Sequence, residues 1–203
     1  MLKTGTGSIC AGFMIAAGGS VFLACDSKYA GAVFFSVALL CICYMGYYLY
    51  TGKIGYFVTD HSLNNAKTLL VGLIGNLATA FILGKIISYA IPNITEKADS
   101  ICSAKLLQSF PQTFIRGLFC GILMYLAVSI YKDHKTPLGI LFCVPVFILS
   151  GFEHSIADMF YFGVSTITDA RILLFTLAAV LGNTAGGILL PFLANIGGKA
   201  DAK

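Results

Sequence analysis

The sequence predicts an all-α integral membrane protein whose six crossings form two inverted halves of three. Three observations carry that prediction. Apolar residues fill 58% of 203 positions and charged residues only 11%, whereas a water-soluble domain carries about 25% charge to wet its surface. Long apolar runs of crossing length recur six times along the chain. Finally, Gly75-Asn76-Leu77-Ala78 in the third run returns as Gly182-Asn183-Thr184-Ala185 in the sixth, the mark of an internal repeat. The same arithmetic excludes a disordered chain, a disulfide-stapled secreted module and a nucleic-acid binder. The net charge of +4 comes from lysines scattered one or two per loop, with no basic face.

The runs are 8–24, 30–50, 68–91, 112–131, 137–163 and 171–196. The first follows Lys3 and ends near Ala24-Cys25, like a signal sequence. Gly12, Gly18 and Gly19 instead suit a helix in close contact with neighbours, and its removal would leave an odd number of crossings, so it is kept as a span. The second run is apolar to Leu49, is interrupted by Tyr50-Thr51-Gly52-Lys53-Ile54-Gly55, and resumes at Tyr56. The third carries Gly75-Asn76 and leads into a polar connector from Asn93 to Lys105. In the fourth, Cys120-Gly121-Ile122-Leu123-Met124 loosely matches Cys10-Ala11-Gly12-Phe13-Met14 of the first. The fifth is interrupted by Ser150-Gly151-Phe152-Glu153-His154-Ser155 and resumes at Ile156; the sixth carries Gly182-Asn183.

This reads as one channel-like domain over 1–203 with halves at roughly 1–95 and 100–203. Three spans per half set the halves in opposite orientations. Both interruptions fall in the middle span of a half, and unwound backbone at membrane depth survives only where protein or a wet cavity satisfies it. Paired breaks therefore point to a central permeation site. An even number of spans puts both termini on one side. Lys3, Lys53, Lys67, Lys132, Lys135, Lys199 and Lys203 lie there, against Lys28, Lys97, Lys105 and Arg171 opposite. The positive-inside rule then places both termini in the cytoplasm.

Glu153 and His154 sit mid-span, where a charge costs about 3 kcal/mol on insertion scales. His154 either lines a pathway, exchanging protons with a permeating weak acid, or caps the broken helix. Glu153 reads as a structural residue accepting from backbone amides freed at the break. Asp158, one turn on, either pairs with His154 or caps the resumed helix. His61 and His134 stand in polar connectors and read as solvated. The seven cysteines show no CxxC spacing and read as free structural thiols. No metal or cofactor is expected, and no hydrolase or nucleotide motif is present.

The segment Ser150-Gly151-Phe152-Glu153-His154-Ser155-Ile156-Ala157-Asp158-Met159-Phe160 resembles the signature of the formate/nitrite transporter family, which includes hydrosulfide channels. Leu49-Tyr50-Thr51 is similar to that family's motif at the first break. Phe114 to Cys120, Gly182-Asn183 and Gly186-Gly187 fall at matching places. The resemblance implies an aquaporin-like inverted repeat in the plasma (inner) membrane. It also implies a homopentamer with one pore per protomer, and permeants that are anions of weak acids: formate, then hydrosulfide, then nitrite. It further implies a central His154 faced by Thr51, with Asn183 near the pore centre and Lys105 in a vestibule. One hydrophobic constriction comes from Phe35, Leu39 and Phe147, and the opposite one, on the cytoplasmic side, from Leu49. Arg116 would help Lys105 gather anions.

The chain departs from the family pattern at four places. Gly121 and Asp158 replace asparagines, Tyr50 replaces a phenylalanine beside the pore, and few residues precede the first span. Two other readings remain. A neutral-solute channel would carry Asn-Pro-Ala at its breaks, which this sequence lacks. A membrane-embedded enzyme would need a second converging acid, base or metal set around Glu153 and His154.

Overall fold

A computed structural model describes residues 1–197; Lys199 and Lys203 lie outside the described residues. The first half holds α1 (Leu2–Ala24), α2 (Lys28–Met45), the short α3 (Tyr50–Lys53) with a 3-10 turn over Ile54–Val58, and α4 (Leu63–Ala90). A bridging helix, α5 (Thr95–Leu106), leads to the second half: α6 (Phe110–His134), α7 (Leu138–Leu149), α8 (Ser155–Val164) and α9 (Arg171–Ile196). Helices α1, α2, α4, α6 and α9 are each long and apolar enough to cross a membrane. The shorter α7 and α8 together make the remaining crossing. The six spans are therefore α1, α2 with α3, α4, α6, α7 with α8, and α9, and the third and fourth are separated by α5.

Local chemistry sets the ends. Ser27 accepts from the Ala30 amide at the start of α2, and Ser62 from the Asn65 amide at the start of α4. Ser109 and Gln112 form a reciprocal capping box at α6. Helix α2 stops at Gly46, in left-handed geometry at φ 68, and the turn after α7 holds Gly151 at φ 71. These are the two positions in the breaks where a side chain would be strained.

Two expectations about the chain path are corrected. The first break comes earlier than the polar residues indicate: Gly46 to Leu49 is unwound, while Tyr50 to Lys53 is helical again. Gly46 can turn left-handed, and that decides where α2 ends. The connector from Asn93 to Lys105 is not a loop but mostly α5. Ala98, Cys102 and Leu106, at helical spacing, bury one face of it.

Small residues let helices approach closely, both within each half and between the halves. In α1, a Cβ at Gly12 would meet Thr79 of α4 at 2.6 Å, and one at Gly19 would meet Phe160 of α8 at 2.4 Å. In the second half α6 and α9 approach still closer: a Cβ at Gly186 would lie 1.8 Å from the Leu118 carbonyl oxygen. Gly121 belongs to this contact, since a Cβ there would sit 2.3 Å from the Asn183 carbonyl oxygen. A side chain there would need α6 and α9 to move apart. Outward, residues such as Phe34, Phe142 and Leu173 remain exposed, as an apolar belt requires.

Candidate functional site

The two breaks meet at the centre, and each is held by one buried asparagine. Asn76 of α4 accepts from the Tyr50 amide at 2.8 Å and donates to the Ser8 and Tyr48 carbonyls, each at 2.9 Å. Asn183 of α9 accepts from the Ser155 amide at 2.9 Å and donates to the Gly117 and Glu153 carbonyls at 2.9 and 2.8 Å. Both side chains are fully enclosed. Each satisfies an amide and a carbonyl that the broken span frees, and ties them to the first helix of its own half. Asn183 thus clamps the break on either side of His154, and its side chain lines neither cavity. Asn76 was legible only as half of the Gly-Asn repeat.

The stapled breaks present His154 and Thr51 to one another, with Nε2 and Oγ1 2.9 Å apart. His154 is also the N-cap of α8: its Nδ1 accepts from the Ala157 amide at 3.1 Å. A ring whose Nδ1 accepts carries its proton on Nε2, so Nε2 donates to Thr51 and leaves the threonine hydroxyl proton free. The Phe147 ring stacks on His154 with centroids 5.7 Å apart, and Phe35 meets Phe147 edge-on at 6.4 Å.

Two cavities approach this centre from opposite ends. The far-side cavity, of about 410 Å³, reaches Phe35, Phe147 and His154 at its floor and Lys28, Gln108 and Arg116 towards its mouth. The terminal-side cavity, of about 210 Å³, ends on Leu39 and Leu49 and opens past Lys53, Tyr131 and Lys132. Leu39 therefore sits with Leu49 on the terminal side, not in one ring with Phe35 and Phe147. Phe35, Leu39, Leu49, Thr51, Phe147 and His154 are all buried, and they separate the two cavities. Tyr50, expected beside the pore, turns away and bonds Thr184 on α9 at 2.8 Å.

Charge is concentrated on the far side. Lys105, near the end of α5, bonds Glu153, and its Nζ also lies 2.8 Å from Asp158 Oδ1. Gln108 donates to the other Glu153 oxygen at 2.6 Å, and Arg116, half-exposed, stands 3.9 Å from it. The expectation that Glu153 accepts from freed amides is corrected: its carboxylate is held by side chains, and Asn183 serves the backbone instead. Asp158 pairs with Lys105 and not with His154. Sequence reasoning missed Gln108 because nothing in the chain shows that α5 folds back over the break. His61 and His134 are exposed, and all seven cysteines are free thiols.

A profile of the formate/nitrite transporter family matches residues 1–197. The chain belongs to that family. YwcJ of Bacillus subtilis, an uncharacterized transporter, is 30% identical along an alignment of 217 positions, gaps included, that covers 94% of this chain and 85% of YwcJ. The nitrite transporter NirC of Salmonella typhimurium is 30% identical along an alignment of 137 positions, gaps included, that covers 61% of this chain and 49% of NirC. A pentameric formate channel solved with formate bound superposes with a TM-score of 0.81 over 96% of each chain, at 23% identity. That superposition shows the fold the two share. As a formate/nitrite transporter family member, the chain is a membrane channel or transporter for small anions.

Proposed function

We propose that this chain is a pore for formate, with hydrosulfide and nitrite as further permeants, and that the proton-bearing centre is His154 with Thr51. The observation that carries the reading is the Thr51–His154 hydrogen bond at the meeting point of two broken spans, between cavities that open to opposite sides. An anion leaving the far-side cavity must cross Phe35 and Phe147 and then Leu39 and Leu49, where losing its hydration is prohibitive as a charge. Protonation at the floor of the far-side cavity, which His154 lines, makes a neutral acid that crosses them. Thr51, whose hydroxyl proton is free, donates to the permeant oxygen or sulfur while Nε2 of His154 holds a transferable proton.

The same reading takes 1–203 as one channel domain and the assembly as a homopentamer in the plasma (inner) membrane, which agrees with what the pentameric formate channel is. It takes the protein as a channel and not an enzyme, in keeping with a family of transporters. The reading also takes both termini as cytoplasmic. Lys85 and Arg116 join the far-side cations, which narrows the count to seven on the terminal side against six. Lys85, Lys97 and Lys105, however, spend their ammonium groups on carbonyl or carboxylate oxygens of the protein. The terminal-side Lys3, Lys53, Lys67, Lys132 and Lys135 are all exposed and available to anionic lipid.

The test is flux into proteoliposomes of formate, hydrosulfide, nitrite and glycerol by wild type and His154→Ala. Anion flux in wild type that drops by about tenfold or more in His154→Ala, with glycerol impermeant, is the expected result. Glycerol flux without anion flux would overturn it in favour of a neutral-solute channel.

A further inference from the structure

One residue that lines the far-side cavity holds a buried carboxyl oxygen with no hydrogen-bond partner in the protein. His154 has both ring nitrogens occupied, by Ala157 and Thr51. Glu153 has both carboxylate oxygens occupied, by Lys105 and Gln108. Asp158 has Oδ1 on Lys105, while Oδ2 is buried with no partner. Among the described residues the other unpartnered buried side-chain atoms are hydroxyls of Ser36, Ser155 and Thr176, and none of those residues lines the cavity.

An ionised oxygen in that position would be an uncompensated buried charge, which a protein interior does not tolerate cheaply. The local balance points the same way, because Asp158 and Glu153 are two carboxyl groups sharing one ammonium, Lys105. Like charges so placed are relieved when one group keeps a proton. Glu153, with two donors and Arg116 beyond, is the better supported as the anion. The other titratable groups within range of Asp158 are Cys102 on α5, Cys120 on α6, and Tyr161 and His154 on its own stretch. None of these adds a cation that would hold a second carboxylate.

From this geometry we propose that Asp158 is a carboxylic acid that hands its proton to the anion in the far-side vestibule, one helical turn before the anion reaches His154. The O–H bond of the Asp158 carboxyl breaks, an O–H or S–H bond forms on the permeant, and the neutral acid moves on. The carboxylate left behind is held by Lys105 and regains its proton from hydronium in the vestibule. In the resting state the Lys105, Glu153 and Asp158 group is neutral overall and admits an anion past Arg116 and Lys28. After transfer it is negative and repels a further anion until Asp158 is reprotonated. The step adds a second proton-bearing group to the pore and rests on the channel reading.

The test compares wild type with Asp158→Asn, which keeps the shape and an oxygen for Lys105 but holds no transferable proton. Proteoliposomes containing a pH indicator are given labelled formate on the far side across a pH series. Wild type is expected to carry formate with protons, faster as the pH falls. Asp158→Asn is expected to lose about tenfold or more of the proton-coupled flux and most of its pH dependence. Infrared spectra of the same samples are expected to show a protonated-carboxyl band at neutral pH in wild type that Asp158→Asn removes. A variant with wild-type flux and pH profile, or a wild-type protein without that band, overturns the proposal and leaves the channel reading intact. Wild type that carries none of formate, nitrite or hydrosulfide overturns both.

Discussion

The two breaks are built on one frame and carry different chemistry. Gly46 and Gly151 turn the chain, Tyr48 and Glu153 offer a carbonyl to the asparagine, and Tyr50 and Ser155 offer it an amide. Each pair is separated by the same number of residues. At the position just before the stapled amide, however, the first half places Leu49 and the second His154. A seal and a proton-bearing ring thus occupy equivalent places in an inverted repeat. The flanks differ in the same sense. The terminal-side cavity is walled by leucine, isoleucine and tyrosine with two lysines at its mouth. The far-side cavity holds a lysine paired to two carboxyl groups. The backbone frame is what the repeat preserves, and function has diverged on top of it.

If the frame is common, breaking either asparagine has the same and the largest cost. Asn76→Ala and Asn183→Ala each strip three hydrogen bonds from backbone groups, all buried except the half-buried Tyr48 carbonyl. Each is expected to destabilise by about 3 kcal/mol or more, with loss of folded protein in detergent. The chain has no tryptophan, so the readout is helical circular dichroism on heating together with size-exclusion profiles. A large loss at one asparagine and almost none at the other would show that only one half depends on its staple.

What was legible follows the same division. The second break announces itself because glycine, serine, glutamate and histidine interrupt an otherwise apolar run, and the Gly-Asn repeat marks both staples. The first break is misplaced by sequence because its unwound residues, Tyr47 to Leu49, are apolar, and the polar Thr51-Gly52-Lys53 that follow are helical again. Only Gly46 signals the turn. The family resemblance sets Asn183 near the pore centre and says nothing of its bonds. What assigns it to the backbone is which carbonyls lie near, a three-dimensional fact. The Lys105 pairing with Asp158 needs α5 folded over the cavity, and the charges of α5 disguise its buried face of Ala98, Cys102 and Leu106 as loop.

A smaller effect tests the turn itself. Around Gly46 a Cβ would meet nothing within 4 Å, and around Gly151 only Arg116, at 3.8 Å. Substitution at either site therefore meets backbone strain and no clash. Gly46→Ala and Gly151→Ala are expected to cost about 1–2 kcal/mol each, and Gly46→Asn and Gly151→Asn less, because asparagine visits left-handed geometry more readily. Thermal midpoints of the four variants check this. An alanine variant as stable as wild type would mean that its break does not need left-handed backbone at that point.

The smallest expected effect compares the two ends of the molecule through their loop carboxylates. On the far side, Asp99 of α5 accepts from the Ser165 hydroxyl at 2.5 Å and from the amide and hydroxyl of Thr166, each at 2.8 Å, tying α5 to the end of α8. Partial burial pushes its carboxyl up, but these donors and the Lys85 charge outweigh it and hold the group below its ordinary value. A carboxylate so depressed stabilises the fold fully above the unfolded value of about 3.9, and that contribution is lost as the pH falls through the folded value. On the terminal side Asp60 is also depressed, by Ser62, but the bond closes only a turn within its own connector. Asp99→Asn is therefore expected to lower the thermal midpoint at neutral pH and to flatten the acid limb of the stability curve, and Asp60→Asn to change both less. Midpoints measured from pH 7 down to pH 3 decide between them. Equal shifts for the two variants would mean that bridging α5 to α8 adds nothing beyond a local turn.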